Sequence, residues 1–393
     1  MKKSFKILLL AESCADFADV LFKVAVISNM YVITHSVIAT SSIPVIIGVS
    51  TFVSSFFLPV LTRKLRLNEI LLYTQFTKTI ALTCLFVWMI TFNSHMIGVT
   101  YSLVTVISLM DGFAGPTSAA LIPRYATDLT RANSILTVSH ETIEVIGWGI
   151  GGVLVLLIGF HQTLMFIVIL FWLASLILLY LPQVNIKIVE NETPMDSIFK
   201  GWKHIIAHRQ LKLILGINTF EITANSIWVS SIILAFISVV LDESESYWGY
   251  INTLYSIGII LGGWGILKFS NAMTQHKPLW IFISLILTAS TLALSLIFIN
   301  AISFLIATLF IGFFSQLKEI PETILIQESV EEDILVHIYA VMEVLNTLIF
   351  SISIFIMSGL AEIMPVQNVF WVTVVLILIE AIIVFIARKQ LDT

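Results

Sequence analysis

Twelve stretches of this chain are each long and apolar enough to occupy a bilayer from one face to the other, and that property removes almost every other fold. A hydrocarbon core of roughly 30 Å needs about 20 consecutive apolar residues when they are helical. Such windows fall near 7–31, 37–61, 70–91, 97–122, 133–158 and 162–182, and again near 211–237, 246–268, 278–298, 301–325, 336–361 and 367–388. Lipid offers no water to an unpaired N–H or C=O, so continuous runs of this length are helices and not strands. Composition agrees: 58% of residues are hydrophobic, 11% are charged, and the mean hydropathy is +1.00, far from a soluble domain. The expectation is an all-α membrane protein with twelve transmembrane helices.

Lys and Arg collect on the cytoplasmic side of short loops, and here they fall in alternate connections. Lys2, Lys3 and Lys6 precede span 1; Arg63, Lys64 and Arg66 follow span 2; Arg124 and Arg131 follow span 4. Basic residues also fill the central loop, follow span 8 (Lys268, Lys277) and end the chain (Arg388, Lys389). The intervening loops THSV, FNSH, GFHQT, LDESES and EIMPVQN carry none. Both termini are therefore predicted cytoplasmic. One connection departs from the pattern: ESVEED, 328–333, after span 10, is acidic. The basic start resembles a signal peptide only superficially, because its apolar run is too long, contains acids and has no small-residue cleavage site.

The one long polar interval, 184–212, divides the spans six and six. This predicts an N-terminal bundle over 1–183, a cytoplasmic linker over 184–212 and a C-terminal bundle over 213–393. Within the linker, Ile198, Phe199, Trp202, Ile205 and Ile206 form one stripe at helical spacing, outside which lie Lys200, Lys203 and Arg209, a pattern for an amphipathic interfacial helix. The halves echo one another weakly, in GFAGPTSAALIPRYATD from Gly112 and GFFSQLKEIPETILIQESVEED from Gly312. Six plus six spans with an internal repeat is a transporter layout.

Charged residues inside spans are the candidate functional groups, since each costs roughly 2.5–3.5 kcal/mol at mid-bilayer. In ADFADVLFKVA and the residues before it, Glu12, Asp16, Asp19 and Lys23 lie at i, i+4, i+7 and i+11, on one stripe of helix 1. That stripe must line a wet cavity or the bundle interior; the plainer alternative is that Asp19 and Lys23 simply neutralise each other across one turn. Span 5 places Glu141, Glu144 and Trp148 on one face, and two carboxylates a turn apart can share a proton. Span 7 aligns Asn218, Glu221, Asn225 and Trp228 as a polar and aromatic cavity wall. Span 11 offers Glu343 and Asn346. Lys318, Glu319 and Glu322 lie toward the cytoplasmic end of span 10, with Lys318 and Glu322 one turn apart, and His337 is expected to be solvated near the boundary. No Walker loop, nucleophile elbow or CxxC is present, and neither Cys14 nor Cys84 has metal or disulfide spacing. The chain is therefore not expected to be an enzyme, to hold a metal or cofactor, or to bind nucleic acid.

The segments DGFAGPTSAALIPRYATDLTRANSIL (111–136), SIFKGWKHIIAHRQLKLIL (197–215) and ADFADVLFKVA (15–25) resemble the major facilitator superfamily, specifically its bacterial exporter branch that includes macrolide efflux proteins and the enterobactin exporter. The resemblance covers the chain in layout and is specific in these patches. It implies two six-helix bundles, with spans 1, 4, 7, 10 and 2, 5, 8, 11 lining the cavity, and alternating access driven by the proton gradient. It also places Lys78 and Glu380, on spans 3 and 12, outside the cavity as packing or interfacial residues, and Asp111 near a helix end. Two departures stand out. In VLTRKLRLNE, Arg63 replaces an acid that latches the cytoplasmic gate in the family. In IGWGIGG, Trp148 replaces the Pro of the antiporter motif while Gly147, Gly149, Gly151 and Gly152 remain.

The resulting expectation is a monomeric, multi-pass, proton-coupled antiporter in a bacterial cytoplasmic membrane, exporting small amphipathic cations or zwitterions. Acids outnumber bases among the cavity residues, which favours that cargo. Asp16, Asp19, Glu141 and Glu144 are the proton-coupling candidates. Arg63, Asp111, Arg124, Lys318, Glu319 and Glu322 are the gate candidates. The alternatives are a nutrient importer or facilitator of the same fold, or a lipid flippase.

Overall fold

A computed structural model describes residues 2–34, 37–92, 97–184, 193–228, 230–244 and 247–391. Among them every regular element is a helix. The first half contains α1 (Lys3–Thr34), α2 (Val37–Leu61), α3 (Leu67–Phe92), α4 (Ile97–Tyr125), α5 (Leu129–Ile158) and α6 (Phe160–Leu178). The linker forms α7 (Pro194–Ala207). After it come α8 (Arg209–Asn225), α9 (Ser230–Val239), α10 (Tyr247–Gln275), α11 (Lys277–Ile297), α12 (Ala301–Ser329), α13 (Glu332–Ile363) and α14 (Val366–Leu391). Among the described residues nine helices, α2, α3, α4, α6 and α10 to α14, are by themselves long and apolar enough to cross a membrane. α1 and α5 have the length, 32 and 30 residues, and carry the charges noted above. α8 and α9, inclined by 50°, form one further candidate span. Together these fit the twelve predicted spans. Parts of the loops THSV, FNSH and LDESES, and most of the linker before α7, lie outside the described residues.

The chain gathers into two compact units, and a single cut at the central loop does not separate them. Unit 1 comprises Met1–Thr127, Thr142–Lys203 and Glu331–Val344; unit 2 comprises Asp128–Glu141, His204–Val330 and Leu345–Thr393. The start of α5 and the start of α13 each belong to the other half's unit, for identifiable reasons. In unit 2 the Asn133 amide donates to Gln327 Oε1 at 2.8 Å. In unit 1 Arg124 reaches Asp333, and Gly201 of α7 lies so close to the His337 backbone that a Cβ there would collide with it.

Each unit repeats the same helix neighbours. In unit 1, α1 packs on α6, α2 on α4, and α3 on both α4 and α6; in unit 2, α8 packs on α14, α10 on α12, and α11 on both α12 and α14. The pairings match when α8, α10, α11, α12 and α14 are laid on α1, α2, α3, α4 and α6, the signature of an internal structural repeat. The two glycines that begin the sequence echo have matching jobs. Gly112 lets α4 approach Thr51 and Ser54 of α2, with Ser55 Oγ donating to the Gly112 carbonyl at 3.0 Å, and Gly312 lets α12 approach the Tyr255 backbone of α10. Helices in lipid gain little from burying apolar surface against one another, so close approach at small residues carries much of the association. Gly147 and Gly151 of α5 do the same against Val20 and Val24 of α1, whereas Gly149 faces open space.

The linker helix is docked along one edge. Thr193 and Asp196 form a reciprocal cap at its start: the Thr193 hydroxyl donates to the Asp196 carboxylate at 2.6 Å and accepts from the Asp196 N–H at 3.2 Å. That hydroxyl holds the Asp196 carboxyl below its usual range. Ser197 Oγ donates to the Pro59 carbonyl at 2.5 Å, supplying a partner for a C=O left over at the end of α2. Ile198 and Ile205 are buried with it, while Phe199 and Ile206 stay exposed. The predicted apolar stripe thus splits between protein and surroundings.

Candidate functional site

Each unit carries a lysine at mid-helix that is almost completely buried among carboxylates. In unit 1, Lys78 of α3 has a side chain only 3% exposed, and its ammonium lies 2.6 Å from Asp19 Oδ2 of α1 and 2.5 Å from Asp111 Oδ1 of α4. It also lies over the Phe171 ring of α6, 5.0 Å from the centroid. Lys78 therefore draws four helices together, so of the two places expected for it, packing or interfacial, it takes the buried one. A lone ammonium in an apolar helix must find its counter-charge inside the protein. Asp19 has taken Lys78 as its partner, so pairing with Lys23 is not its main neutralisation. Asp111 lies at the middle of α4 and not near a helix end.

In unit 2, Lys318 of α12 faces three acids: Glu221 of α8, with which it forms an ion pair, Glu322 Oε2 at 2.7 Å, and Glu380 Oε1 of α14 at 3.3 Å. The Lys318–Glu322 turn was legible as an i, i+4 pair. Glu380 is likewise buried and not interfacial: its side chain is 1% exposed and belongs to this cluster. Asn218 is buried one turn before Glu221, and Asn225, one turn after it, is exposed. Trp228 packs its ring on Phe304 and Phe370, with centroids 6.2 and 6.1 Å away. Glu319 is exposed beside the cluster.

The remaining candidates are placed as follows. Glu12, Asp16 and Lys23 are half-buried along α1, as are Glu343 and Asn346 on α13 and Arg63 in the turn after α2. Glu144 Oε2 accepts a hydrogen bond from Trp148 Nε1 at 2.7 Å, so the residue that replaces proline in the motif has a polar role. Glu141 lies 3.9 Å from His140 Nδ1. His337 is buried rather than solvated. The acidic connection that broke the charge pattern is accounted for by its partners. Arg124 binds Asp333 at 2.6 Å and lies 3.7 Å from Glu332, while Lys277 binds Glu328 at 2.8 Å.

Two units that repeat one packing of apolar, membrane-length helices, each around a buried lysine and its carboxylates, have the layout of a secondary transporter. The chain belongs to the Major Facilitator Superfamily, whose family model matches residues 8–353. It is 28% identical over 389 residues to the MFS-type transporter YfmI of Bacillus subtilis, covering 97% of this chain and 96% of that one. Among solved structures it is similar to the major facilitator transporter FucP in the outward conformation, with a TM-score of 0.78, 10% identity and 97% and 98% of the two chains covered. It is also similar to a bacterial homologue of the iron transporter ferroportin in the outward-facing state, with a TM-score of 0.78, 14% identity and 99% and 100% covered.

Proposed function

We propose that the protein is a proton-coupled antiporter that exports small amphipathic cations or zwitterions from a bacterial cell, working as a monomer in the cytoplasmic membrane with both termini inside. The observation that carries this reading is the Lys78 cluster, in which two carboxylates share one buried ammonium. Fully ionised, the three groups hold one surplus negative charge in a region that solvates charge poorly; one added proton makes them neutral. A group that gains and loses a proton with little net charge is suited to coupling. Asp19, on the same stripe as Glu12, Asp16 and Lys23, links the cluster to the candidate cavity face. Glu144, held by Trp148, is a second acid through which protonation can act. Cargo and proton competing for this set gives antiport by linkage, because whatever favours one disfavours the other.

The test is gradient-driven transport of tetraphenylphosphonium, a lipophilic cation, in proteoliposomes with an imposed pH gradient. Wild type is expected to accumulate the cation against its gradient, and Asp19→Asn to lose the pH dependence while remaining folded. Asp16→Asn and Glu144→Gln rank the other candidates. Accumulation that ignores the pH gradient in wild type refutes proton coupling. Uptake in the opposite direction refutes export.

A further inference from the structure

Three carboxylates on one lysine are more than a static bridge requires, and in unit 2 the three differ sharply in access. The Glu221 side chain is 28% exposed, Glu322 8% and Glu380 1%. A carboxylate partly open in the middle of a spanning helix cannot face lipid without a cost of roughly 2.5–3.5 kcal/mol. With Asn225 exposed one turn further along, Glu221 and Asn225 give α8 a polar, partly open face. Behind it the situation reverses. Among the described residues neither oxygen of Glu380 has a hydrogen bond of good geometry, and Lys318 is its one partner; Glu322 faces Lys318 through Oε2 and is also hydrogen-bonded by Asn218. A buried carboxylate whose one partner is a shared ammonium, as Glu380 is, is a poor way to stabilise a fold, since it forfeits most of the hydrogen bonds it had in water. Glu380 holds spare acceptor capacity and is the most deeply buried of the three partners of Lys318.

We propose that Glu221 is the landing carboxylate for a monovalent organic cation, and that Lys318 is a tethered counter-ion which the cargo displaces onto Glu322 and Glu380. The inference rests on the cationic-cargo reading above and adds the residues that would recognise it. Without cargo, Lys318 neutralises Glu221. When a cation arrives at the open side of Glu221, the ammonium shifts inward by a fraction of an ångström to an ångström, shortening its 3.3 Å contact with Glu380. Neither the lysine nor Glu221 is left bare at any point. Lysine suits the task because its ammonium is a compact point charge on a flexible stem, whereas an arginine fork would be held in fixed geometry. Glu380 touches no cargo and acts as a positioning residue.

The experiment is equilibrium binding of tetraphenylphosphonium to the purified full-length protein in lipid nanodiscs. Glu221→Gln is expected to weaken binding by about tenfold or more, the loss typical of removing one partner of a buried charge pair. Glu380→Gln is expected to weaken it several-fold in the wild-type background and to have no effect in a Lys318→Met background, because there is then no ammonium to receive. Should Lys318→Met fail to yield monodisperse protein, Lys318→Arg serves instead, with weakened binding that Glu380→Gln no longer changes. Unchanged binding in Glu221→Gln overturns the proposal. So does an effect of Glu380→Gln that is the same with and without the lysine, which is what a purely structural role gives. If wild type transports the cation under a pH gradient but Glu221→Gln and Glu380→Gln bind it normally, the exporter reading stands and this inference falls. If wild type neither binds nor transports it, both fall.

Discussion

Lys78 and Lys318 are each 3% exposed, yet the first faces two carboxylates and the second three. In both units an acid comes from the first helix of the repeat, Asp19 on α1 and Glu221 on α8. The lysines do not come from equivalent helices: Lys78 is on α3, whose counterpart is α11, and Lys318 is on α12, whose counterpart α4 supplies the acid Asp111. The repeat therefore reproduces helix packing while the base has moved, from the third helix of the first unit to the counterpart of its fourth, and a further acid comes from α14. Each half has to neutralise an acid on its leading helix, and each has found its own way. The surplus differs too, one negative charge around Lys78 and two around Lys318, so the second cluster has more room to accept a positive charge from outside.

The largest expected effect comes from removing either ammonium. Lys78→Met or Lys318→Met leaves orphaned buried carboxylates, and breaking such a pair costs about 3–5 kcal/mol. Heat stability in detergent, followed by size-exclusion chromatography, is expected to fall sharply for both, more for Lys318→Met because it leaves three acids behind. Adding Asp19→Asn and Asp111→Asn to Lys78→Met should recover most of the loss. If both lysine variants melt like wild type, the clusters do not hold their units together and the comparison fails at its root.

The packing side of the comparison is tested by Gly112→Ala and Gly312→Ala. Each new methyl collides with backbone of the neighbouring helix, at Thr51 and at Tyr255 respectively, and overpacking of this kind costs about 1–3 kcal/mol. Equal losses in the two variants confirm that the echoed glycines are equivalent parts of a repeat. An unequal result, with Gly112→Ala alone tolerated, shows that α2 and α4 can separate where α10 and α12 cannot. Gly149→Ala, which faces open space, is the control and should behave as wild type.

Much of this was legible in the sequence, and the limits have physical causes. The spans followed from the thickness of lipid alone. Lys318 and Glu322 were found because a helix brings i and i+4 together. Lys78 and Glu380 read from the sequence as packing or interfacial residues on spans 3 and 12, and both are buried, each inside an ion cluster. The cost argument by itself required a buried partner for each. It could not say which, since Asp19 and Lys78 are 59 residues apart and Glu221 and Lys318 are 97 apart, and only packing joins them. ESVEED stands apart from the charge pattern for a similar reason: the bases that pair with its acids, Arg124 and Lys277, come from elsewhere in the chain.

A smaller effect sharpens the contrast between clusters. Glu380→Gln removes a buried carboxylate whose one partner is an ammonium already shared with two other acids, so it is expected to raise stability by about 1 kcal/mol while weakening cation binding. Asp111→Asn removes a carboxylate 31% exposed, whose burial is less costly, so its melting shift should be close to zero. A gain in stability with a loss in function marks a residue kept for its activity; a loss of both would make Glu380 an ordinary structural acid.

The smallest effects belong to the ion pairs at the helix ends, and they test whether burial, and not charge as such, sets the ranking. Arg124 is 10% exposed against Asp333 at 30%, and Lys277 is 14% exposed against Glu328 at 47%. Pairs open to solvent are worth about 1 kcal/mol or less and are screened by salt, since the Debye length falls from about 10 Å at 0.1 M to about 3 Å at 1 M. Arg124→Gln is expected to lower heat stability slightly in dilute buffer, with Lys277→Gln lower still in effect because its partner is the more exposed. Both differences should close at about 1 M salt. The losses in Lys78→Met and Lys318→Met should persist there in large part, because salt reaches the open carboxylates Asp111 and Glu221 but not Asp19, 14% exposed, or Glu380, 1% exposed. If high salt rescues the cluster variants as readily as the helix-end variants, both lysines are reached by bulk water, and the low-dielectric argument for a proton at Asp19 and a displaced ammonium at Glu380 loses its basis.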